Sequence, residues 1–320
     1  MKKKLSILIC ASAVNIFLIS CTSNNKDVTP AEQQKIDSIA MANIGELHSF
    51  DKQNGLIGFK DNNDSVVIKA KYADAWEFDG NLAIAKDSSE NYGVINKLGK
   101  TVIDFKYSYI SSIDNSSSFI CEISKNKQTT VGVINGKNEI IVPFDYSYMY
   151  STRSGKLICT RLSDQKRGIL SSDGKIFIPF DYDYIELKPN LEGLIVAKKS
   201  GKYGFIDSLN KVVINFQYNY ATNFKDGLAC VGNSDLKYGY INLNNELVIP
   251  FQFTVAYPFS NNLAAVSNEQ NKYGYIDPNG KIVIPFKYSS AGDFYENKAS
   301  VSLDGDTHFY IDEKGNEIKK

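Results

Sequence analysis

One spacing limits what this chain can fold into more than any other feature. Glycines stand at 58, 93, 132, 168, 204, 239 and 274, at intervals of 35, 39, 36, 36, 35 and 35 residues. Eleven residues after each come Lys69, Asp104, Pro143, Pro179, Asn215, Pro250 and Pro285. Fourteen after each comes an aromatic: Tyr72, Tyr107, Tyr146, Tyr182, Tyr218, Phe253 and Tyr288. An aromatic at one offset in every copy is not chance. A fixed period of this length means a repeat architecture, in which each unit buries its apolar face against its neighbours. The 320 residues would by length suit one large or two ordinary domains. The period argues instead for one continuous array.

The cleanest copy is Tyr273 to Tyr288, YGYIDPNGKIVIPFKY. Tyr273-Gly274-Tyr275-Ile276 has the aromatic and β-branched composition of a strand. Asp277-Pro278-Asn279-Gly280 breaks it: Asp bonds local backbone, Pro fixes φ, and Gly takes a positive φ without steric cost. Lys281-Ile282-Val283-Ile284 is the return strand, and Pro285 is expected to end it, because Pro cannot donate to a ladder. The two strands predict a β-hairpin closed by a type I turn with a left-handed residue. A loop through Ala291 and Phe294 follows, then Lys298-Ala299-Ser300-Val301 as a third strand.

The pattern Y-G-Y-I-D-x-N-G-K-x-V-I-P-F-x-Y, followed by F and G-L-A-x-V, resembles the WG (KWG) repeat family over roughly residues 45–320. The Trp of the family's name is Tyr92, Tyr203, Tyr238 and Tyr273 here, and Ile57, Val131 and Arg167 in the other copies. The resemblance implies an all-β repeat array with few assigned activities, and it supplies no catalytic residues.

The ends of the array are offset. Leu47 lies 11 residues before Gly58, as Leu82, Leu228 and Leu263 lie before their own glycines, so the array opens on a third strand. It closes on the hairpin at Phe309 to Gly315. The reading is an all-β array of about seven to eight three-stranded units of ~35 residues, open and twisted; the alternative is a closed β-propeller with a split blade.

Ahead of the array (46–320), residues 1–20 read as a secretory signal: Lys2 to Lys4 are the charged region and Leu5 to Ile19 are mostly apolar. Leu18-Ile19-Ser20-Cys21 resembles a bacterial lipoprotein box, with a small residue before the cysteine. Cys10 does not qualify, since bulky Ile9 precedes it. The resemblance implies a chain that starts at Cys21 with acyl chains on its sulfur and amine, anchored at about 0.8 kcal/mol per buried methylene. Thr22 in place of Asp favours the outer membrane of the cell envelope, and Lys26-Asp27 weakly resembles a surface-export tag. Residues 21–28 read as a polar tether. Residues 29–45 read as a short amphipathic helix, with Thr29 as N-cap, Pro30 at the first position, Glu32 reaching back and Gly45 as the stop. Its apolar face is expected to cap the first unit.

Candidate chemistry dissolves into repeat positions. Cys121, Cys159 and Cys230 share one repeat position, where other copies carry Ile84, Val196, Ala265 and Ser300, so buried packing thiols are expected. A disulfide between two of the three is left open. His48 and His308 are the only imidazoles, and no serine or cysteine elbow accompanies either. Asp61 to Asp64 and Ser171 to Gly174 look like calcium loops but occupy the hairpin turn and lack the acidic ligand at the twelfth position. No catalytic residue, cofactor or metal site is expected.

Lys+Arg and Asp+Glu both total 36, and loss of Lys2 to Lys4 with a leader tips the remainder acidic. Only Arg153, Arg161 and Arg167 are arginines, so the chain has neither the basic stripe nor the forked donors that nucleic acid demands. What remains is tyrosine. The aromatic at the fourteenth position is expected to be a core rung. The pairs Tyr107/Tyr109, Tyr146/Tyr148, Tyr182/Tyr184 and Tyr218/Tyr220 alternate, and one of each is expected outward. Tyr109, Tyr148, Tyr184 and Tyr220 are therefore the expected contact surface. The functional expectation is a non-catalytic envelope lipoprotein that binds a protein partner; the alternative is one that binds carbohydrate or peptidoglycan through exposed tyrosines.

Overall fold

The computed structural model describes residues 29–51, 55–113, 116–186 and 193–319. The expected leader, Cys10, Cys21, Lys26-Asp27 and the tether lie outside the described residues. The chain forms two compact units, one of 29–112 with 117–141 and one of 113–116 with 142–319. Apart from one helix, the regular structure is antiparallel β.

The hairpin predicted from residues 273–288 forms. Tyr273–Ile276 pairs with Ile282–Tyr288, and Asp277 organises the turn. Its backbone N–H donates to Lys281 O at 2.9 Å, and its Oδ1 accepts from Asn279 N at 3.0 Å and Lys281 N at 2.9 Å. Gly280 takes φ +80°, the left-handed conformation the turn needs. Asp64, Gly99, Asn138, Gly174, Asn210 and Asn245, six residues past their own repeat glycines, all have positive φ too. The acidic and amide clusters there are turn chemistry, with Asp61, Asn96, Asp207 and Asn242 each accepting from the backbone two and four residues on.

Pro285 does not end the return strand. Tyr275 pairs with Ile284 and Tyr273 with Tyr288, so one residue, Gly274, faces three: Pro285, Phe286 and Lys287. This wide bulge needs no donor at its first position, which is why proline is tolerated there. It also explains the repeat glycine. A Cβ on Gly274 would stand 2.6 Å from Ile284 O and 3.0 Å from Phe286 N. The same collision, at 2.5–2.8 Å from a carbonyl, awaits Gly58, Gly93, Gly168, Gly204 and Gly239. The glycine is demanded by close backbone approach, not by its φ.

Full sheets add a short leading strand to the three expected. The order is leading strand, third strand, glycine strand and return strand, as in Val255–Ala256, Ala264–Ser267, Tyr273–Ile276 and Ile282–Tyr288. The third strand of one sequence unit thus pairs with the glycine strand of the next: Val266 faces Gly274. The opening sheet has three strands, beginning with Leu47–Asp51 as expected, and the last has Ser290–Ala291, Ala299–Ser302 and His308–Ile311. The sheets have three, four or, in one case, seven strands and none is closed, which fits an open repeat array.

The core lies between successive sheets. Tyr288 and Ile284 of one sheet pack with Phe294, Ala299, Val301 and Ile311 of the next, all buried. Tyr72, Tyr107, Tyr182, Phe253 and Tyr288 are buried, so the aromatic at the fourteenth position is the core rung it was expected to be, while Tyr146 and Tyr218 are half-buried.

The helix forms over Pro30–Asn43, with both halves of the capping box made by Thr29 and Glu32. It is not the expected apolar lid. None of its residues is buried, and Ile36 and Ile39 stay exposed. Polar contacts hold it: Lys100 pairs with Asp37 at 2.7 Å, and Lys97 Nζ donates to Gly45 O at 2.9 Å. Only Ile44, past its end, packs on the first core with Leu47, Phe59 and Tyr72.

Candidate functional site

The tyrosines that meet one another at the surface come from two repeat positions. One precedes the repeat glycine. The other lies two residues past the core rung, at the start of the next leading strand. Residues two apart in one strand share a face, so alternation alone would bury both tyrosines of a pair. The chain bends instead at Ser108, Asp183 and Asn219, between return and leading strands, and a register shift between Tyr146 and Tyr148 does the same work. The bend puts the first tyrosine into the core and the second onto the sheet edge. Tyr109, Tyr148 and Tyr220 are 45, 54 and 39 % exposed, as expected; Tyr184 is half-buried.

In the second unit these residues form a continuous row. Tyr184 meets Tyr203 at 6.1 Å between ring centroids, Tyr203 meets Tyr220 at 6.2 Å, and Tyr220 meets Tyr238 at 5.5 Å. The interplanar angles are 60°, 57° and 78°, so the outer two pairs meet edge to face, the arrangement their quadrupoles favour, and the middle pair is tilted. A shorter row in the first unit joins Trp76, Tyr92 and Tyr109, at 5.6 and 5.7 Å. Tyr203, Tyr238 and Trp76 were not among the expected contact residues. The aromatic directly before each glycine was the signal that would have found the two tyrosines.

Cross-strand pairing sets what surrounds each ring. Lys198 sits between Tyr184 and Tyr203 in register, with its Nζ 5.0 Å from the centre of the Tyr203 ring. Arg167 stands 5.1 Å over Tyr184, whose hydroxyl donates to Glu186 Oε2 at 2.7 Å. Asn223 Nδ2 reaches the same oxygen at 3.4 Å, while its own Oδ1 is buried without a protein partner. Burial raises the Tyr184 and Tyr220 hydroxyls above the ordinary phenol value, with Glu186 adding to the effect at Tyr184. Tyr184 and Tyr220 therefore stay uncharged at neutral pH, with their hydroxyls beside apolar ring edges.

The remaining candidates are structural. Cys121, Cys159 and Cys230 are buried free thiols, and burial pushes each from 9.0 up to about 12. His48 bonds Asn62 at 2.8 Å and His308 bonds Ser290 at 3.3 Å, both on the surface. Among the described residues no group of His, Cys, Asp and Glu has the arrangement to hold a metal ion, and no helix is long and apolar enough to cross a membrane. One open depression of about 630 Å³ is walled by polar hairpin tips, Asn261, Asn262, Asn297, Glu313 and Lys314 with Leu263.

Seven segments, 57–88, 92–122, 132–162, 168–203, 203–235, 238–272 and 273–305, match the family described as WG containing repeat. No curated protein matches the chain. Solved structures that match include a eukaryotic initiation factor, at 11 % identity over 86 % of this chain and 85 % of that one, with a TM-score of 0.44. Others are dihydro-heme d1 dehydrogenase NirN in complex with DHE (10 %, 86 and 72 %, 0.41) and BamB from Moraxella catarrhalis (9 %, 82 and 92 %, 0.35). At such TM-scores these likenesses carry no functional inference.

Proposed function

For a chain that belongs to the WG repeat family, with its exposed chemistry gathered on a tyrosine row, we propose the role of a non-catalytic interaction module that binds a protein partner through Tyr184, Tyr203, Tyr220 and Tyr238. The edge-to-face packing of that row carries the reading. Tyrosine is enriched at protein interfaces because it gives large, rigid contact area with a polar tip. Sugars instead stack on open ring faces, and here neighbouring rings, Lys198 and Arg167 already cover several of them.

The same reading makes the chain an envelope lipoprotein, carried by acyl chains on Cys21 at the outer membrane. It rests on the charged and apolar run from Lys2 to Ile19 and the small residue before Cys21. Cys21→Ser should move the protein from the membrane to the soluble fraction, and continued membrane partition would refute the anchor.

The test of the binding role is chemical crosslinking in intact envelopes, followed by titration of the purified partner. Tyr220→Ala with Tyr238→Ala should lose the crosslink and weaken the titrated affinity at least tenfold. An unchanged affinity sinks the reading. Retention on a polysaccharide array that depends on the same two tyrosines would favour the carbohydrate alternative.

A further inference from the structure

One position in the tyrosine row differs in kind from its equivalents. The residue directly across from the tyrosine before the repeat glycine is Lys86 opposite Tyr92 and Lys198 opposite Tyr203. In both, the lysine of this chain covers the ring, at 5.6 and 5.0 Å from its centre. Opposite Tyr238 the position is Gly232, and opposite Tyr273 it is Ser267. Tyr220 flanks the glycine from the other side, as Tyr184 flanks Lys198. A side chain on Gly232 would begin 3.0 Å from Tyr220 Cβ and 3.3 Å from Tyr238 Cε1, so the two rings have closed over the glycine. They meet at 5.5 Å and 78°, and Tyr203 meets Tyr220 at 6.2 Å. Among the described residues no cation stands over Tyr220 or Tyr238.

The geometry points to an aromatic box built on Tyr220 and Tyr238 that takes a cationic side chain, lysine or arginine, from the partner. This rests on the proposed partner-binding role and names the chemistry of its central contact. A cation over a tyrosine face is attracted by the ring quadrupole, and clustered rings are the common way to hold ammonium groups. The chain supplies that cation itself at Tyr92 and Tyr203 and withholds it at Tyr238. The box contains no carboxylate, so its attraction to a cation depends weakly on salt, unlike that of an exposed ion pair.

The probe is tetramethylammonium, followed by NMR of the tyrosine ring signals, with tert-butanol as a neutral group of similar size. Tetramethylammonium should shift the Tyr220 and Tyr238 signals saturably, and tert-butanol should not. Gly232→Lys, which restores the arrangement at Lys198, should weaken that response about tenfold. Tyr238→Leu is the second variant and should do the same without adding a charge. Equal shifts by tert-butanol, or a full response in both variants, overturn the box. Partner binding that is lost in the tyrosine double variant but kept in Gly232→Lys overturns the box and leaves the partner-binding role standing. A box that binds tetramethylammonium while the double variant still binds partner at full strength has the opposite meaning.

Discussion

Replacing Gly274 by alanine puts two effects of opposite sign in competition. Glycine inside a strand is entropically costly, and on that account alone alanine should stabilise by roughly 0.5–1 kcal/mol. The structure sets a larger steric penalty against it. The new Cβ would stand 2.6 Å from Ile284 O, 3.0 Å from Phe286 N and 3.1 Å from Pro285 C, all backbone atoms of the bulge. None of them can swing away as a side chain would. The bulge must open by several tenths of an ångström, and it carries Tyr288 into the core between sheets. Overpacking of this kind costs about 1–3 kcal/mol, and loosening a buried aromatic adds to it. The net expectation is a loss of about 2–3 kcal/mol. Gly292→Ala is the control: its nearest contact is Ser300 O at 3.5 Å, an ordinary distance, and a surface change there should stay within about 0.5 kcal/mol. Urea unfolding followed by circular dichroism measures both. Repeat arrays need not unfold in one step, so amide exchange at Tyr275 and Ile284 supplies the local value. If Gly274→Ala unfolds at the same urea concentration as Gly292→Ala, the close-approach account of the repeat glycine is wrong.

Three further outcomes are expected. Tyr288→Ala should cost about 3–5 kcal/mol, while Tyr148→Ala should fall within about 0.5, because the first is a buried rung and the second is exposed; similar losses would erase the distinction between rung and surface. Asp277→Ala removes an acceptor for two backbone N–H groups and should cost about 1–2 kcal/mol, with Asp277→Asn recovering most of it, as Asn242 does at the equivalent turn; thermal unfolding of both variants decides. The three buried thiols keep their protons to about 12 when folded but lose them near 9.0 when unfolded. Their contribution to stability is therefore complete below the unfolded value and falls as pH rises from there toward 12. A urea midpoint that stays flat between about pH 8 and about pH 10.5 would contradict this.

Much of the fold was legible because a repeat states its rules many times over. Turn residues at a fixed offset, an aromatic rung in every copy and a leucine before the first glycine announced the hairpins, the core and the third strand that opens the array. The row was half legible. Tyr109, Tyr148 and Tyr220 were found from spacing, but the reason given for their exposure was wrong: a bend turns them outward, and alternation does not. Tyr203 and Tyr238 were visible as the residues before each glycine, yet nothing in the linear pattern said that they meet Tyr184 and Tyr220. The helix misled in another way. Apolar residues at helical spacing imply a buried face only if a partner surface exists, and among the described residues Ile36 and Ile39 stay exposed.

The sequence by itself determined the strands, their turns and the period, because those depend on local backbone chemistry and on which side chains must leave water. Only the tertiary structure decided what the period was for. The repeat glycine marked the period inside a strand, and proved to be a point where one backbone passes too close to another for a single carbon atom. Pro285 looked like a strand end, and proved to sit in a bulge opposite that glycine. Gly232 carries no signal of its own in the linear pattern. Pairing with Tyr220 on one side and Tyr238 on the other made it the place in the row where two rings close over no side chain, a fact set by cross-strand register.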